Sequence, residues 1–437
     1  MSKIFKFKDV VIDKKGFLRG PFGGDLKKEI FVKQSKDTYK VYEQGVVLNS
    51  DKSIGRYYIS KEDYLAKLYK FSVEDKDFLI SCSGVNMGAI YQLKSPFEKG
   101  IINQALLRIR LNNDIIDDNY FFYLFKELIS RRITAGSGDS TIPNFPALEV
   151  IKNIEFELPD KLTQVNVGKL LSSLDSKIEL NNKINLELEA MAKTLYDYWF
   201  VQFDFPVVTS SGVEKPYKTS GGKMVWNEEL KREIPEGWEV KLLGTEIEIQ
   251  RGISYTSKEI SGDGIPMISL NSFNLNGTYK PEGIKKYSGK YTDKNNTKPG
   301  DLLIAATDVT RNADIIGRAI LVPDYYNGDL VFSMDIAKII SKNVPSSFLM
   351  MLFNSNHYHN YIKWFASGTI VLHLNLDGTK RYNIEMPPKE LLEKYDALYQ
   401  PIANRIYKTA IENQKLTELR DWLLPMLMNG QVKVSEL

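Results

Sequence analysis

Two carboxylates and a lysine have a spacing that could support metal-dependent hydrolysis. Pro159 and Asp160 are followed by Asp175 and Lys177, which fits the loose Pro-Asp and Asp/Glu-x-Lys spacing of many metal-dependent nucleases. In such enzymes the carboxylates lie on strands and converge on Mg²⁺, whereas Asp175 and Lys177 fall in a segment with helical spacing. We therefore interpret these residues as structural.

Other catalytic signatures are incomplete. His357 and His359 alternate around Tyr358 with no nearby thiol, which is an incomplete zinc set, so we expect two surface histidines. Neither a Walker-type phosphate loop nor a complete Gly-x-Gly-x-x-Gly pattern occurs. Residues 386–389 (MPPK) lack the polar and aromatic ends of an amino-methyltransferase motif and predict a turn from a strand into a helix. We expect no catalytic residue, no metal and no cofactor bound by this chain.

Length and composition indicate a multidomain globular protein. The 437 residues are 43% hydrophobic and 26% charged, with a net charge of +3. The single cysteine, Cys82, excludes an intramolecular disulfide, and no apolar run approaches the roughly 20 residues that a membrane helix needs. We expect a cytoplasmic protein. A balanced net charge leaves the distribution of basic residues open.

The chain repeats itself with an offset of about 228 residues, which indicates a tandem duplication. Four features of the first half recur in the same order in the second: two short apolar strands, an aromatic helix, and an Asn-Ile-Glu tripeptide that leads to a proline and a long amphipathic segment. The paired ranges are 77–80 (DFLI) and 301–304 (DLLI), 88–93 (GAIYQL) and 317–322 (GRAILV), 120–125 (YFFYLF) and 347–353 (SFLMMLF), and 153–155 and 383–385 (NIE). A polar loop also precedes each tripeptide, at 135–141 and 366–369.

Each long segment has heptad spacing, which predicts two helices that pair as a coiled coil. The predicted seam comprises Leu171, Leu174, Ile178, Asn185, Leu188 and Leu195 in the first helix and Ile402, Ile406, Asn413, Leu416 and Leu423 in the second. Asn185 and Asn413 lie near the middles of their seams. In an antiparallel pair we expect these two amides to bond across the interface and to define the register. The alternative is that each helix packs only on its own domain.

Four further segments resemble a known family, the specificity subunits of type I restriction-modification systems. Residues 195–206 (LYDYWFVQFDFP) look like the end of the central conserved region of these subunits. Residues 215–224 (KPYKTSGGKM) and 234–238 (IPEGW) are similar to the linker that follows, and residues 423–430 (LLPMLMNG) resemble the second conserved region. One departure is that no Gly-Trp pair precedes the first repeat.

The resemblance implies a mixed α/β fold with two tandem target-recognition domains separated by two long antiparallel coiled-coil helices. The corresponding ranges are 1–157 and 234–386 for the two domains, 158–205 and 387–437 for the helical regions, and 206–233 for an exposed linker. It also implies a non-catalytic DNA-binding subunit in which each domain reads one half of a bipartite site on double-stranded DNA. The implied partners are two adenine-methylating modification subunits and ATP-dependent restriction subunits. S-adenosylmethionine, ATP and Mg²⁺ would be bound by those partners.

Candidate DNA contacts follow from side-chain chemistry, because base edges require Arg, Lys, Asn, Gln, Ser or Thr on a presented loop, and phosphates take Lys and Arg more generally. In the first domain these candidates are Arg19, Lys27, Lys28, Asn86, Ser140, Thr141 and Asn144. In the second domain they are Arg251, Thr310, Arg311, Asn312, Thr369, His373, Asn375, Lys380 and Arg381. Each of them could instead be a solvated loop residue.

Two other classes of protein are compatible with parts of the sequence. One is a self-sufficient DNA methyltransferase or nuclease, against which the missing motifs argue. The other is a coiled-coil adaptor with no role on nucleic acid. Binding of S-adenosylmethionine by the chain alone would favour the first class, and failure to bind DNA would favour the second.

Overall fold

The computed structural model describes residues 3–12, 16–84, 86–129, 145–208, 211–324, 326 and 328–434. It divides into two compact units: Met1–Lys177 together with Leu416–Leu437, and Ile178–Lys415. Each unit combines sheets and helices, so the mixed α/β fold class is confirmed.

The first unit contains two four-stranded sheets. The central antiparallel sheet has the strand order Phe17–Arg19, Leu106–Ile109, Phe78–Ser81 and Ile90–Gln92. The second sheet has the order Phe31–Val32, Tyr58–Ser60, Thr38–Tyr42 and Gly100–Ile102, and its last two strands are parallel. A separate antiparallel pair, Lys3–Lys6 with Glu155–Leu158, brings the two ends of this domain together.

The helices of the first domain are short, and the aromatic one packs on the central sheet. They are Gln44–Leu48, Lys61–Asp63, Asp118–Leu124 and Leu148–Lys152, with 3₁₀ turns at Phe7–Val10, Gly23–Leu26, Lys28–Ile30 and Tyr69–Phe71 and π-helical turns at Tyr64–Leu68 and Phe125–Ile129. Asp117 caps the aromatic helix by accepting a hydrogen bond from the backbone N–H of Tyr120 at 3.0 Å. Phe121 lies 4.9 Å from Phe78 and 5.5 Å from Phe7, ring centre to ring centre, so this helix closes the core over the sheet.

The second unit contains an equivalent domain. Its central antiparallel sheet has the strand order Ile247–Arg251, Ile336–Ser341, Leu302–Ala305 and Ala319–Leu321. A second sheet has the order Lys285–Tyr287, Ile260–Ile268 and Val331–Phe332, and a third has the order Thr307–Asp308, Leu372–Leu374 and Ala366–Ser367. Glu239–Leu242 pairs with Asn383–Met386 as the closing antiparallel pair.

The helices of this second domain are Leu243–Glu246, Ser346–Asn354, Asn356–Ile362 and Asp377–Lys380. Its 3₁₀ turns are Ser257–Glu259, Leu270–Ser272, Pro281–Gly283, Asp293–Asn295 and Lys363–Phe365. The helix Ser346–Asn354 buries Phe348, Leu349 and Phe353 against the central sheet, as the aromatic helix of the first domain does.

The predicted duplication is therefore visible in the strand order. In each central sheet one edge strand is the first of the four in the chain, and its neighbour in the sheet is the last of the four in the chain. The two predicted apolar strands occupy the third and fourth positions across the sheet. In both domains a parallel pair joins the second sheet, Thr38–Tyr42 with Gly100–Ile102 and Ile260–Ile268 with Val331–Phe332. The polar loop predicted at 135–141 lies outside the described residues.

The predicted linker has more structure than an exposed coil. Two hairpins form here, Pro206–Val208 with Glu214–Pro216 and Met224–Asn227 with Arg232–Pro235. Buried Asp204 anchors the first hairpin, because its carboxylate accepts hydrogen bonds from the backbone N–H and the hydroxyl of Thr219 at 2.7 and 2.6 Å. Most residues between the two hairpins are nevertheless exposed.

Two helices are far longer than any other. The central helix runs over Lys161–Tyr196 and ends in a π-helical turn, Asp197–Val201, and the C-terminal helix runs over Lys389–Met428. The predicted turn at residues 386–389 is confirmed, because a strand ends at Met386 and the C-terminal helix begins at Lys389. Neither helix is apolar enough to cross a membrane, and the same holds for every other helix within the described ranges.

The two long helices contact each other through polar residues within each unit. In the second unit Asn181 faces Asn413 and Asn185 faces Thr409, so a step of four residues forward in one helix matches a step of four residues back in the other. The pairing is therefore antiparallel, as predicted. No residue of the predicted seam is exposed, and Leu171 is fully buried.

The predicted bond between Asn185 and Asn413 is wrong. Asn413 accepts from Asn181 and donates to Asn182, both at 2.8 Å, while the side-chain oxygen of Asn185 accepts from the hydroxyl of Thr409. Heptad positions in the sequence define each seam but leave the stagger between two antiparallel helices open. The actual stagger differs from the predicted one by four residues, about one helical turn.

Candidate nucleic-acid interface

One edge of the second domain is built from loops at one end of its central sheet and from the small sheet of Thr307–Asp308, Leu372–Leu374 and Ala366–Ser367. Ile253 accepts a hydrogen bond from the backbone N–H of Met334 at 2.7 Å, and Asp335 accepts from the N–H groups of Ala306 and Thr307 at 2.9 and 3.0 Å. We call the surface formed by residues 252–256, 306–316, 333–335 and 366–375 the loop edge. Its four segments come from distant parts of the chain and are joined by backbone hydrogen bonds.

The hairpin of residues 366–374 belongs to the loop edge through its strand register. Thr307 pairs with His373 and Asp308 pairs with Leu372, while Ser367 lies opposite His373 on the other side. The backbone N–H of Leu374 also donates to Ala306 at 2.8 Å. The hairpin is therefore part of a three-stranded sheet, and the register places its tip, residues 368–371, beside residues 309–312.

Buried Asp308 holds the loop that carries three of the predicted DNA contacts. Its carboxylate accepts hydrogen bonds from the backbone N–H groups of Thr310 and Ile315 at 2.6 Å each and of Ile316 at 2.9 Å. Charge-assisted bonds of this kind are among the stronger ones in proteins. The loop therefore has a defined backbone path, which presents Arg311 to solvent. Sequence reasoning missed Asp308, although the Asp-x-Thr pattern at 308–310 is a signal for an Asx turn.

The structure brings most of the predicted contacts of the second domain together. Thr310, Arg311, Asn312, Thr369 and His373 all lie on the loop edge, and all but half-buried Thr310 are exposed. Side chains of these types can donate to and accept from base edges and phosphates.

Three of the second-domain predictions lie at the margin of this surface or away from it. Asn375 lies at the base of the hairpin, where its oxygen accepts from the N–H of Asp377 at 3.1 Å, so part of its bonding capacity is used locally. Lys380 packs against Gly244, which precedes the strand Ile247–Arg251 and so lies toward the opposite end of the sheet from the loops. Arg381 follows it directly and is exposed.

Arg251 and Arg19 occupy equivalent positions in the two domains. Arg251 pairs with Ala337, which also pairs with Ile304 of the next strand. Arg19 pairs with Leu107 in the same way, and Leu107 pairs with Ile80. Each arginine therefore ends the edge strand of its central sheet, at the end from which the loops emerge.

A glycine follows each of these arginines, and both glycines are required by close backbone contacts. A Cβ atom on Gly20 would lie 1.9 Å from the carbonyl oxygen of Asn103, and one on Gly252 would lie 2.2 Å from that of Phe332. Only glycine permits such an approach. The chain therefore turns away at the same point in both domains, directly after the arginine.

The side chains of the two arginines differ in exposure. Arg251 is exposed, whereas Arg19 is half-buried, with its guanidinium 4.8 Å from the ring centre of Phe22 and 5.7 Å from that of Phe145. A guanidinium held over aromatic faces keeps its charge and loses rotamer freedom. Arg19 is therefore the more preorganised of the two.

The other predicted contacts of the first domain are less grouped. Exposed Asn86 lies in the loop after the strand Phe78–Ser81, which matches the position of residues 306–316 in the second domain. Lys27 and Lys28 are exposed at two consecutive 3₁₀ turns that lead into the second sheet. The remaining predicted contacts, Ser140, Thr141 and Asn144, lie outside the described residues.

The histidine prediction is correct for one residue and wrong for the other. His357 is exposed, but His359 is buried, and burial together with nearby Arg318 and Lys363 lowers the pKa of its imidazole to about 4. The backbone of Ile316, at the end of the loop that Asp308 holds, acts on this pKa in the opposite direction. The two residues differ because an aromatic helix packed on a sheet buries one side, and Tyr358 and His359 both face that side. Among the described residues, no group of three or more His, Cys, Asp and Glu side chains is arranged to hold a metal ion.

The carboxylates of the nuclease-like spacing have structural partners. Asp160 caps the central helix by accepting from the N–H and hydroxyl of Thr163 at 3.0 and 2.9 Å. Asp175 accepts from the hydroxyl of Tyr123 and the guanidinium of Arg420, each at 2.6 Å. The two carboxylates are 15 residues apart on one helix, a rise of about 22 Å, so they do not converge on a common ion.

An apolar cavity of about 420 Å³ lies in the second unit between the two long helices and the domain. Its lining includes Glu189, Tyr279, Met350, Tyr399 and Tyr407. Burial raises the pKa of the Glu189 carboxyl. The cavity is lined by none of the predicted DNA contacts, so it is distinct from the loop edge.

Comparison with known proteins shows which proteins this chain resembles. The family profile described as type I restriction modification DNA specificity domain matches residues 23–190. The chain is 26% identical over 383 residues to the type I restriction enzyme MjaIX specificity subunit of Methanocaldococcus jannaschii, covering 83% of this chain and 79% of the relative. It is 24% identical over 468 residues to the HindI specificity subunit of Haemophilus influenzae, covering 94% and 98%.

The fold also matches a solved structure, that of a type I restriction-modification system S subunit from M. genitalium. The TM-score is 0.60 at 14% identity, and the match covers 100% of this chain and 97% of the other. The two repeated α/β domains and the long helices thus have the fold of that S subunit. The resemblance predicted from the sequence is confirmed: residues 23–190 match the type I restriction modification DNA specificity domain, and the chain is similar over most of its length to type I specificity subunits.

Proposed function

We propose that the two domains each recognise one half of a bipartite site on double-stranded DNA, and that the chain directs methyltransferase and restriction subunits to that site. The observation that carries this proposal is the repetition of one surface: Arg19 and Arg251 end equivalent strands, and a loop with candidate base contacts follows the third strand of each central sheet. Two similar surfaces in one chain suit two half-sites. Their loops differ in sequence, which suits two different half-site sequences.

The chain itself is proposed to be non-catalytic. The carboxylates that could have supported nuclease chemistry are used as a helix cap and in an ion pair. S-adenosylmethionine, ATP and Mg²⁺ would then be bound by the methyltransferase and restriction subunits, whose chemistry this chain would position. Such a complex acts on DNA in the cytoplasm.

We further propose that the long helices are the docking surface for two methyltransferase subunits, because a repeated protein offers two similar sites to two identical partners. Exposed apolar side chains on the central helix support this proposal. Leu180, Leu186 and Met191 are 53%, 63% and 57% exposed. Apolar side chains that face solvent on a helix otherwise rich in charge are typical of a protein interface.

The test is a domain exchange in the assembled complex. The strand Lys3–Lys6 pairs with Glu155–Leu158, so residues 1–158 contain both ends of the first domain and are the segment to replace with that of a relative. Mapping of methylated adenines should show one changed half-site and one unchanged half-site. A change in both half-sites, in a complex that assembles normally, would contradict the assignment of one half-site to each domain.

A gel-shift assay separates the remaining classes of protein. We expect the chain to bind specific DNA more tightly with its cognate methyltransferase subunit than without it. Binding of S-adenosylmethionine by the chain alone would favour a self-sufficient methyltransferase, and absence of DNA binding under both conditions would favour an adaptor.

A further inference from the structure

The tip of the loop edge carries apolar side chains that the fold leaves in solvent. Ile370 is 86% exposed, Val309 is 65% exposed and Val371 is 37% exposed. Asp308 pairs with Leu372, so the antiparallel register carries Val309 toward Val371. We call these three residues the apolar tip. None of them belongs to a hydrophobic core cluster of the domain, so packing within the domain does not explain why these positions are apolar.

The surroundings of the apolar tip are polar and basic. Arg311 and Asn312 follow Val309 in the loop that Asp308 holds, and Thr369 precedes Ile370 at the turn of the hairpin. His373 lies two residues beyond Val371 and is also exposed. An apolar group surrounded by hydrogen-bond donors at the tip of a β-hairpin matches the chemistry of the DNA major groove, which admits paired strands and presents one apolar group, the 5-methyl of thymine, among donors and acceptors.

We propose that the apolar tip reads thymine in the half-site of the second domain, with Ile370 in contact with a 5-methyl group in the major groove. This inference rests on the proposed function and specifies part of it: one A·T pair of that half-site is recognised by the methyl group of its thymine, next to positions read by Arg311 and Thr369. Ile370 is then a specificity residue that polar-residue reasoning from the sequence could not include.

The test replaces each thymine of that half-site with deoxyuridine, which removes only the 5-methyl group. The full chain in complex with its methyltransferase subunits is titrated with duplexes that contain the half-sites mapped by adenine methylation. For the unsubstituted protein we expect one or two positions at which deoxyuridine weakens binding about fourfold, the effect of one methyl group removed from water. Ile370→Ala should weaken binding to the thymine duplex by a similar factor. The variant should bind the thymine duplex and the duplex with deoxyuridine at that position equally tightly.

Two further variants make the result specific to this side chain. Ile370→Val keeps a branched apolar group and should retain most of the response to deoxyuridine. Ile340→Ala removes another exposed isoleucine of the same domain, 42% exposed and located toward the opposite end of the central sheet, and should leave both binding and the deoxyuridine response unchanged.

Other outcomes overturn the inference in distinguishable ways. If the unsubstituted complex prefers its mapped site but no thymine position responds, the apolar tip does not read methyl groups, and the proposed function is unaffected. If Ile370→Ala weakens binding equally on thymine and deoxyuridine duplexes, and 2-aminopurine beside the site brightens on binding of the unsubstituted protein, Ile370 unstacks a base step instead. If the complex shows no preference for any site, the proposed function itself fails.

Discussion

Asn181 donates a hydrogen bond to the side-chain oxygen of Asn413 at 2.8 Å, and this contact sets the register of the two long helices in the second unit. Asn413 in turn donates to Asn182 at 2.8 Å. Asn181 is fully buried. A buried polar pair between two helices lowers their stability and disfavours other staggers, because any shift leaves the amides without partners.

Replacing one member of this pair should therefore be more harmful than replacing both. We expect Asn413→Leu to lower the free energy of unfolding by about 1–3 kcal/mol, since buried Asn181 keeps only its hydrogen bond to Glu412 and Asn182 loses the bond from Asn413. The double variant Asn181→Leu/Asn413→Leu should recover much of that loss, because two leucines pack well at facing positions. Calorimetric unfolding of the four proteins of the double-mutant cycle measures the coupling between the two residues.

Asn404→Leu provides the matched control, because Asn404 is an exposed asparagine on the same helix. Its effect should stay within about 0.5 kcal/mol. Purely additive effects of the Asn181 and Asn413 substitutions would contradict a role of this pair in the register.

Asp175 links the two long helices in the first unit and should be structural rather than catalytic. We expect Asp175→Asn to lower the free energy of unfolding by about 1–3 kcal/mol, because the ion pair with Arg420 and the bond from Tyr123 both weaken. DNA cleavage and methylation per assembled complex should stay unchanged. Asp160→Asn is the control, since asparagine also caps helices well. Loss of cleavage by complexes that still assemble and methylate DNA would instead support the nuclease interpretation.

Arg19 and Arg251 should each affect one half-site. We expect Arg19→Ala and Arg251→Ala each to weaken specific binding by about 1–3 kcal/mol if the guanidinium contacts a base, with relaxed preference confined to the half-site of the substituted domain. The measurement is binding to two sets of duplexes, one randomised in each half-site. Equal weakening on all sequences, with a smaller dependence on salt, would make the arginine a phosphate contact instead.

His359 should make the second domain sensitive to acid. Its folded pKa, about 4, lies below the ordinary value of 6.5, so the unfolded chain binds a proton that the folded chain does not. The stability associated with neutral His359 is therefore present above about pH 6.5 and is lost as the pH falls toward 4, up to about 3 kcal/mol. Thermal unfolding between pH 4 and 7 should show this loss.

Two histidine variants isolate the group responsible. His359→Gln cannot titrate, so its stability should depend less on pH in this range, whereas His357→Gln, an exposed residue of the same helix, should behave like the unsubstituted protein. An unchanged pH dependence in His359→Gln would contradict the prediction.

The sequence by itself determined the architecture of each half and the class of the protein. Apolar runs at 77–80 and 301–304 became the third strands of two central sheets, and the heptad segments became the two long helices. These features depend on local periodicity, which is a property of the sequence and does not depend on contacts with distant segments. The motifs at residues 195–206 and 423–430 carried the family resemblance for the same reason: their residue types can be recognised without a structure.

Only the tertiary structure decided which residues meet. Asn185 and Asn413 have equivalent heptad positions, yet the stagger pairs Asn413 with Asn181, because periodicity defines a helix face and not its alignment with another helix. The burial of His359 and the exposure of Ile370 likewise depend on packing between segments far apart in the chain. A loop residue becomes part of a surface through contacts such as those of Asp335 with Ala306 and Thr307. Such long-range contacts depend on the free energy of the whole fold, and no local pattern of residues specifies them.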